Sequence, residues 1–244
     1  MLVESSIKYA LIQEDSTILE KSSVPTPMDT MDHFVETIGT IYDQYKDRIE
    51  GMAISMPGII NPEIGYAFTG GALRYIDKMN IVDILKERCP INITIGNDAK
   101  CAANAEIGYG NLQDIQDGAV VILGTGIGGC LIKDHKVHTG RHFSAGEFSF
   151  VKTNCLDGIG WDYAWSTRNG IKGLLERVQE SLGTNQEYTG IEIFDMANEG
   201  NEKVIEGISQ FCKEVATQIF NVHIIFDCEK VAIGGGISAQ PLLI

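Results

Sequence analysis

The chain has 244 residues, with 19 basic and 33 acidic side chains and a formal net charge of −14 at pH 7. Its length suits one large domain or two lobes, and 44% apolar with 21% charged residues is typical of a globular protein. The negative charge argues against non-specific binding of nucleic acid or anionic lipid, and no apolar run approaches the roughly 20 residues of a membrane span.

Apolar periodicity and turn residues predict alternating strands and helices along the whole chain. In the first half, the predicted strands cover 7–12, 18–20, 51–56 and 91–95, and the predicted helices cover 31–45, 80–88 and 97–107. In the second half, the predicted strands cover 119–123, 130–132 and 230–233, and the predicted helices cover 172–181, 191–198 and 203–226. Asp117-Gly118 marks the expected boundary between two α/β lobes, 1–117 and 118–244.

The six cysteines are scattered, and no two of them form a Cys-x-x-Cys pair. Disulfide frameworks and zinc ribbons need such short, paired spacings. The opening residues 1–4 also lack the basic and apolar segments of a signal peptide. These features predict a cytoplasmic protein with reduced thiols.

Two glycine runs stand out in the second half. Gly124–Gly129 matches the pattern Gly-x-Gly-x-x-Gly, but a strand follows it where a dinucleotide-binding fingerprint requires a helix. A glycine-rich hairpin can instead bring bare backbone N–H groups to a phosphate, with the Thr125 hydroxyl as a further donor. Gly234–Gly236 follows another strand and favours close approach to a flat ligand. For both runs, a sharp turn without a ligand is the alternative interpretation.

Asn97-Asp98 lies where a strand becomes an alanine-rich helix. Either residue would satisfy the helix as an N-cap, so one of them is redundant for capping. The positive end of the helix dipole favours an ionised aspartate, which could accept a proton from an alcohol while Asn97 binds a neighbouring hydroxyl. A purely structural cap and a catalytic acid–amide pair both fit this segment.

In this order, the segments resemble the ROK family of sugar kinases, within the actin-like ATPase superfamily. The resemblance covers almost the whole chain. It is carried by Ser6–Ile12, Pro57–Pro62, Asn97-Asp98-Ala99, Gly124–Gly129, Ala145-Gly146-Glu147 and Gly234–Ser238. The resemblance implies an α/β, two-lobed, ribonuclease H-like fold, with ATP, Mg²⁺ and a hexose in a cleft between a sugar-side lobe and a nucleotide-side lobe. It also implies that the protein phosphorylates a sugar hydroxyl, usually the 6-hydroxyl.

The same resemblance implies roles for individual residues. Asp98 is the catalytic base, and Asn97 and Glu147 hold sugar hydroxyls, since amide and carboxylate groups bind adjacent hydroxyls in pairs. For Glu147, a plain surface residue is the alternative. Gly58 and Gly71 line the sugar pocket. The expected nucleotide contacts are Ser5, Lys8, Gly124, Thr125, Gly126, Gly234, Gly235 and Gly236.

The chain departs from the family pattern in four places. Met1–Ser5 replaces the family's Asp-Ile-Gly-Gly-Thr phosphate loop, and the sequence stops at Ile244, soon after the second glycine run. The family's zinc-binding histidine and cysteine cluster is missing after Glu147, so we expect no metal site and no zinc. Phe150 replaces the histidine that contacts the anomeric end of the sugar. An aromatic ring there tolerates a substituted anomeric carbon, which indicates the β-glucoside kinase branch.

Two other functions compete with an active kinase. The altered phosphate loop also fits a catalytically silent sugar-binding protein. A ROK-type sugar-responsive repressor needs an N-terminal helix-turn-helix, whereas this sequence begins on the first strand and is acidic. Dimerisation is usual in the family, but no surface pattern identifies an interface.

Overall fold

The computed structural model describes residues 6–154 and 160–243. The chain divides into two compact units, the first ending at Asp98 and the second beginning at Ala99. The expected boundary at Asp117-Gly118, and the assignment of residues 1–117 to the sugar and 118–244 to the nucleotide, stay predictions. Ser5 lies outside the described residues.

In its described part, the first unit combines three small sheets with two helices. Its elements are β1 (Ser6–Ile12), β2 (Ile18–Pro25), α1 (Met31–Tyr45), β3 (Gly51–Met56), β4 (Ile60–Asn61), β5 (Tyr66–Ala67), β6 (Met79–Asn80), α2 (Ile81–Arg88) and β7 (Asn92–Asn97). β1 and β2 form an antiparallel hairpin, β3 pairs with β7 in parallel, and β4, β5 and β6 form an antiparallel sheet. Thr30 and Asn80 cap α1 and α2 by accepting hydrogen bonds from the N–H groups of His33 and Asp83.

The core of the first unit forms because the apolar stripe of α1 packs on α2, and α2 in turn covers β7. Phe34 and Ile38 of α1 are buried together with Ile93 and Ile95 of β7 and Leu85 of α2. Burying each such side chain stabilises the fold by about 1.5–3 kcal/mol. Packing is incomplete between β1, α1 and β3, where a cavity of about 1570 Å³ remains.

The second unit is a sheet with helices on both faces. Its elements are α3 (Asp98–Tyr109, which starts at the last residue of the first unit), β8 (Gly118–Leu123), β9 (Ile127–Lys133), β10 (Lys136–His138), α4 (Trp165–Asn169), α5 (Ile171–Leu182), α6 (Gly190–Asn198), α7 (Glu202–Phe226) and β11 (Lys230–Gly234). The strand order is β10-β9-β8-β11, with β11 parallel to β8 and the other pairs antiparallel.

Strand β8 is buried on both faces of this sheet. Val121 packs in a cluster with residues of α5, α6 and α7, whereas its neighbour Val120 packs in a cluster with Ala103 of α3. Consecutive residues of a strand point to opposite faces, so helices must cover both sides. Within the described part of the chain, no helix is both long enough and apolar enough to cross a membrane.

A partly buried ion pair links α5 to α7. The Arg177 side chain is 4% exposed and donates to the Glu214 carboxylate from Nε at 2.9 Å and from Nη2 at 3.1 Å. Asn169 Nδ2 donates to the same carboxylate at 3.1 Å. Burial by itself raises the pKa of Glu214, but the hydrogen bonds, above all those from Arg177, outweigh it and lower this pKa below its ordinary value.

We expect Glu214→Gln to destabilise the protein by about 2 kcal/mol at pH 7, because the buried Arg177 then loses its close ionic partner and retains the longer contact with Glu180 Oε2, at 4.0 Å. The folded-state pKa of Glu214 lies below the unfolded value, so the carboxylate stabilises the fold above that unfolded value. This contribution is lost as the pH falls through the folded pKa. Urea unfolding at pH 7 and pH 3 should show the gap between variant and wild type closing in acid. Glu20→Gln, in an exposed pair with Arg48, is the control, and equal gaps at both pH values for Glu214→Gln would contradict the prediction.

Candidate active site

The carboxyl ends of β3 and β7 bring the predicted sugar-binding residues of the first unit together. Met56 lies opposite Asn97 in this parallel pair, so the Pro57-Gly58 turn and the Asn97-Asp98 segment leave the sheet at the same edge. Asn97 is 4% exposed, and its Nδ2 donates to the carbonyl of Gly58 at 3.0 Å. Asp98 is exposed. The two polar residues therefore differ in role: Asn97 joins two loops, and Asp98 presents a carboxylate at the start of α3.

Gly58 and Gly71 lie in two loops that pack on one another beside Asn97. Both have positive φ angles, +109° and +62°. A Cβ on Gly58 would overlap the carbonyl oxygen of Thr69, and one on Gly71 would lie 2.9 Å from the Cβ of Pro57. The Ile59 N–H donates to Thr69 Oγ1 at 3.1 Å, which also joins the loops. Close backbone packing thus explains both glycines, and their contact with a sugar stays a prediction.

In the second unit, Glu147 is held in an ion pair that the sequence analysis missed. Lys100 Nζ lies 2.5 Å from Glu147 Oε1, and the two side chains are only 7% and 14% exposed. Burial on this scale contradicts the alternative of a plain surface residue at Glu147. One sequence signal could have found Lys100: a lysine in the first turn of a helix opposes the helix dipole and so needs a compensating anion.

Gly146 fixes the position of this carboxylate. Its φ is +74°, and a Cβ there would lie 2.7 Å from the N atom of Leu131 and 2.9 Å from the Cα of Cys130. Only glycine allows the segment to lie this close to β9. Burial raises the pKa of the Cys130 thiol to about 12, an effect that Lys100 opposes and Glu147 reinforces. The thiol therefore stays protonated, and the charge beside Lys100 is that of Glu147.

The two glycine turns, Gly124–Gly126 and Gly234–Gly236, lie at the same end of the sheet in the second unit. β8 and β11 run in parallel and lead into these turns. The Gly124 N–H donates to the Gly126 carbonyl at 3.0 Å, and the Ile237 N–H donates to the Leu123 carbonyl at 3.2 Å, which joins the second turn to β8. Two sequence segments more than a hundred residues apart therefore form one glycine-rich surface.

The three glycines of the second turn differ in what surrounds them. Gly235 has a φ of +97°, and a Cβ there would overlap the carbonyl oxygen of Leu123. Cβ atoms on Gly234 and Gly236 would meet nothing within 4 Å among the described residues. Packing thus explains Gly235, whereas the backbone at Gly234 and Gly236 has open space beside it. With the exposed Thr125 in the adjacent turn, this surface fits the phosphates of a nucleotide.

We expect Gly235→Ala to destabilise the fold by about 1–3 kcal/mol, because both the backbone angle and the overlap with Leu123 oppose a side chain. Gly234→Ala should cost less than about 1 kcal/mol, since its methyl group has open space. Urea unfolding of the two variants measures the difference. Equal losses of unfolding free energy in the two variants would show that contact with Leu123 is not the reason for glycine at position 235.

Three further features lie outside the contacts described above: Lys8, the segment after the second glycine turn, and the predicted absence of a metal site. Lys8 is exposed on β1 of the first unit, and its contact with a nucleotide stays a prediction. After the second glycine turn, Pro241–Leu243 forms a 3-10 turn, and the Ser238 hydroxyl donates to the Gly235 carbonyl at 2.9 Å. The described residues contain no group of three potential metal-binding side chains, and the absence of zinc stays a prediction.

Comparison with known sequences identifies the family. The ROK family model matches residues 4–244. The chain is 33% identical over 200 residues to a β-glucoside kinase of Listeria monocytogenes, across 80% of this chain and 67% of that protein. It is 27% identical over 249 residues to an N-acetyl-D-glucosamine kinase of Haemophilus influenzae, across 96% of this chain and 82% of that protein.

Solved structures agree with the sequence matches. The Lmo2764 protein of Listeria monocytogenes matches with a TM-score of 0.87 at 27% identity, over 98% of this chain and 83% of that one. A ROK family glucokinase of Streptomyces griseus, solved in complex with glucose and AMPPNP, matches with a TM-score of 0.83 at 21% identity, over 99% of this chain and 83% of that one. These matches confirm the predicted α/β fold of the two-lobed actin-like ATPase class. The chain belongs to the ROK family.

Proposed function

We propose that this chain is a carbohydrate kinase that transfers the γ-phosphoryl group of ATP to the 6-hydroxyl of a hexose or hexoside, with β-glucosides favoured. The observation that carries the proposal is the exposed carboxylate of Asp98 at the start of α3, next to the buried Asn97. The named relatives support it, because they are sugar kinases and one of them is a β-glucoside kinase.

In this proposal, Asp98 accepts the proton of the attacking sugar hydroxyl. Its place in the first turn of α3 favours the ionised form, and phosphoryl transfer asks more of positioning than of basicity. Asn97 and Glu147 hold neighbouring hydroxyls, and the Gly58 and Gly71 loops line the sugar pocket. The carboxylate of Glu147, paired with Lys100 in its buried position, acts as a hydrogen-bond acceptor.

The nucleotide would be held by Gly124, Thr125 and Gly126 and by the open backbone of Gly234–Gly236, with Ser5 and Lys8 as further contacts. ATP supplies the phosphoryl group when bound. Mg²⁺ would arrive on the nucleotide phosphates, since it commonly keeps its waters and binds through substrate phosphates. We also propose that the protein is cytoplasmic and forms a homodimer.

A catalytically silent sugar-binding protein is the second candidate. One observation favours it: Met1–Ser5 contains no glycine and places Glu4 where the family has a phosphate loop, and a carboxylate there would repel phosphate. This candidate keeps the sugar site and loses the nucleotide site.

An ADP-release assay with glucose, cellobiose, arbutin and N-acetylmannosamine, run beside calorimetric titration of each sugar and of AMPPNP, tests both candidates. Turnover with a preference for the β-glucosides supports the main proposal. Sugar binding without AMPPNP binding supports the silent protein, and a strong preference for free sugars rules out the β-glucoside assignment. Gly236→Ala adds a methyl group to open backbone, so it should weaken AMPPNP binding and leave sugar binding unchanged.

A further inference from the structure

Two aromatic side chains form an exposed pair in the second unit. Phe150 and Trp161 are 53% and 52% exposed, and their ring centroids are 5.4 Å apart at an interplanar angle of 69°. Val151, next to Phe150, is 37% exposed. Large apolar side chains that cluster while half exposed commonly mark a ligand or partner surface, whereas single exposed residues need no explanation.

The backbone beneath this aromatic pair is firmly held. Phe148 and Trp165, in the same two segments, are buried with ring centroids 5.6 Å apart. The segments are joined by hydrogen bonds from the Trp165 N–H to the Val151 carbonyl at 2.7 Å and from the Thr153 N–H to the Tyr163 carbonyl at 2.9 Å. Each segment therefore buries one ring and presents another, which makes the aromatic pair a preorganised surface.

A lysine steadies Trp161 further. Lys152 Nζ lies 5.7 Å from the centroid of the Trp161 ring and donates to the carbonyl of Gly160 at 3.1 Å. Such a cation–π contact contributes about 0.5–1 kcal/mol at an exposed site.

The aromatic pair begins one 3-10 turn after Glu147. Phe148–Phe150 forms the turn, and the Phe150 N–H donates to the Glu147 carbonyl at 3.1 Å. Glu147 is the N-cap of this turn, so the backbones of Glu147 and Phe150 lie roughly 6 Å apart. That distance is close to the width of one pyranose ring. A sugar held by Glu147 would thus have its neighbouring ring beside Phe150.

We propose that Phe150 and Trp161 form a subsite for the second ring of a β-linked hexoside, either another pyranose or an aryl group. This inference rests on the proposed function. The apolar C–H face of a pyranose and the face of an aryl ring both pack well on aromatic side chains, and binding pockets are typically lined with such residues. The subsite selects substrates by what is attached to the anomeric carbon and takes no part in the chemical step.

Calorimetric titration of the whole chain with glucose, cellobiose and arbutin tests the subsite. Trp161→Ala and Phe150→Ala should each raise the Kd for cellobiose and arbutin about three- to tenfold and leave the Kd for glucose unchanged. Trp161→Phe should recover part of the loss. Phe220→Ala, which removes a phenyl ring that is 61% exposed on α7, is the matched control and should change none of the three values.

Each other outcome overturns the inference in a recognisable way. Unchanged affinity for both glucosides in the Trp161 and Phe150 variants removes the subsite and leaves the proposed function intact. Equal losses for glucose and the glucosides assign the pair a structural role. If the wild type binds none of the three sugars, the proposed function and the subsite fall together. Thermal unfolding of each variant confirms that the fold is kept.

A fluorescence measurement gives an independent readout. Trp161 is half exposed, and the other tryptophan of the chain, Trp165, is fully buried. In a Trp165→Phe background, saturating cellobiose should shift the Trp161 emission to shorter wavelength, because the second ring shields it from water. Glucose should leave the emission unchanged. A shift that glucose reproduces in full would contradict a second-ring subsite.

Discussion

Asp98→Asn should lower sugar phosphorylation by about 10²–10⁴-fold while leaving the sugar Kd within about tenfold of the wild-type value. The amide keeps the size of the side chain and one acceptor oxygen but cannot accept the hydroxyl proton. Steady-state ADP release gives kcat, and calorimetric titration gives the Kd. A loss confined to kcat is the signature of a group that acts in the chemical step.

Asp83→Asn is a matched control for this variant. Asp83 is also an exposed acidic residue in the first turn of a helix, α2, in the first unit. Both substitutions remove a favourable interaction with a helix dipole, which is worth about 0.3–1 kcal/mol, so their effects on stability should be similar. Only the Asp98 variant should lose activity. Turnover close to wild type in Asp98→Asn would remove the proposed base.

The second large effect concerns the pair of Lys100 and Glu147. We expect Lys100→Met to destabilise the protein by about 3–5 kcal/mol, because it removes the ammonium group that pairs with the buried carboxylate of Glu147. Glu147→Gln should destabilise the protein by a similar amount, because it removes the carboxylate that pairs with the buried ammonium group of Lys100. The double variant should be more stable than the sum of the two losses predicts by about 2 kcal/mol, since no uncompensated charge remains.

Urea unfolding of the wild type, the two single variants and the double variant measures this coupling. Lys133→Met is the control, because Lys133 and Asp117 are 51% and 33% exposed and lie 3.8 Å apart. An exposed pair of this kind contributes less than about 1 kcal/mol. Additive losses in the double variant would show that Lys100 and Glu147 do not stabilise one another.

Local sequence patterns predicted individual elements well. The helix expected from about Thr30 is α1, which begins at Met31, and the strand expected over 51–56 is β3, with the same bounds. Such elements are readable because periodicity and caps reside within the element itself. The pairing of β11 with β8 was not readable, and neither was the separation of β1 and β2 from the sheet of β3 and β7. Strand partners depend on contacts between distant segments.

The candidate site shows the same limit. Asn97, Asp98 and the two glycine turns could be identified because each is a short motif. Lys100 could not be assigned to Glu147, nor Phe150 to Trp161, because these partners are separated by loops of unpredictable course. The tether from Asn97 to Gly58 was missed for the same reason. Sequence motifs identified the candidate site residues, and the structure added the residues that contact and support them.

The cavity between β1, α1 and β3 has a consequence for the hairpin of β1 and β2. β2 is exposed along nearly all its length, and β1 shares hydrogen bonds with β2 rather than with β3. The amide hydrogens of the β1–β2 hairpin should therefore exchange with deuterium through local opening, well before those of β8. Lys8 is carried on this hairpin, so a nucleotide that engages its ammonium group would slow deuterium uptake along both strands.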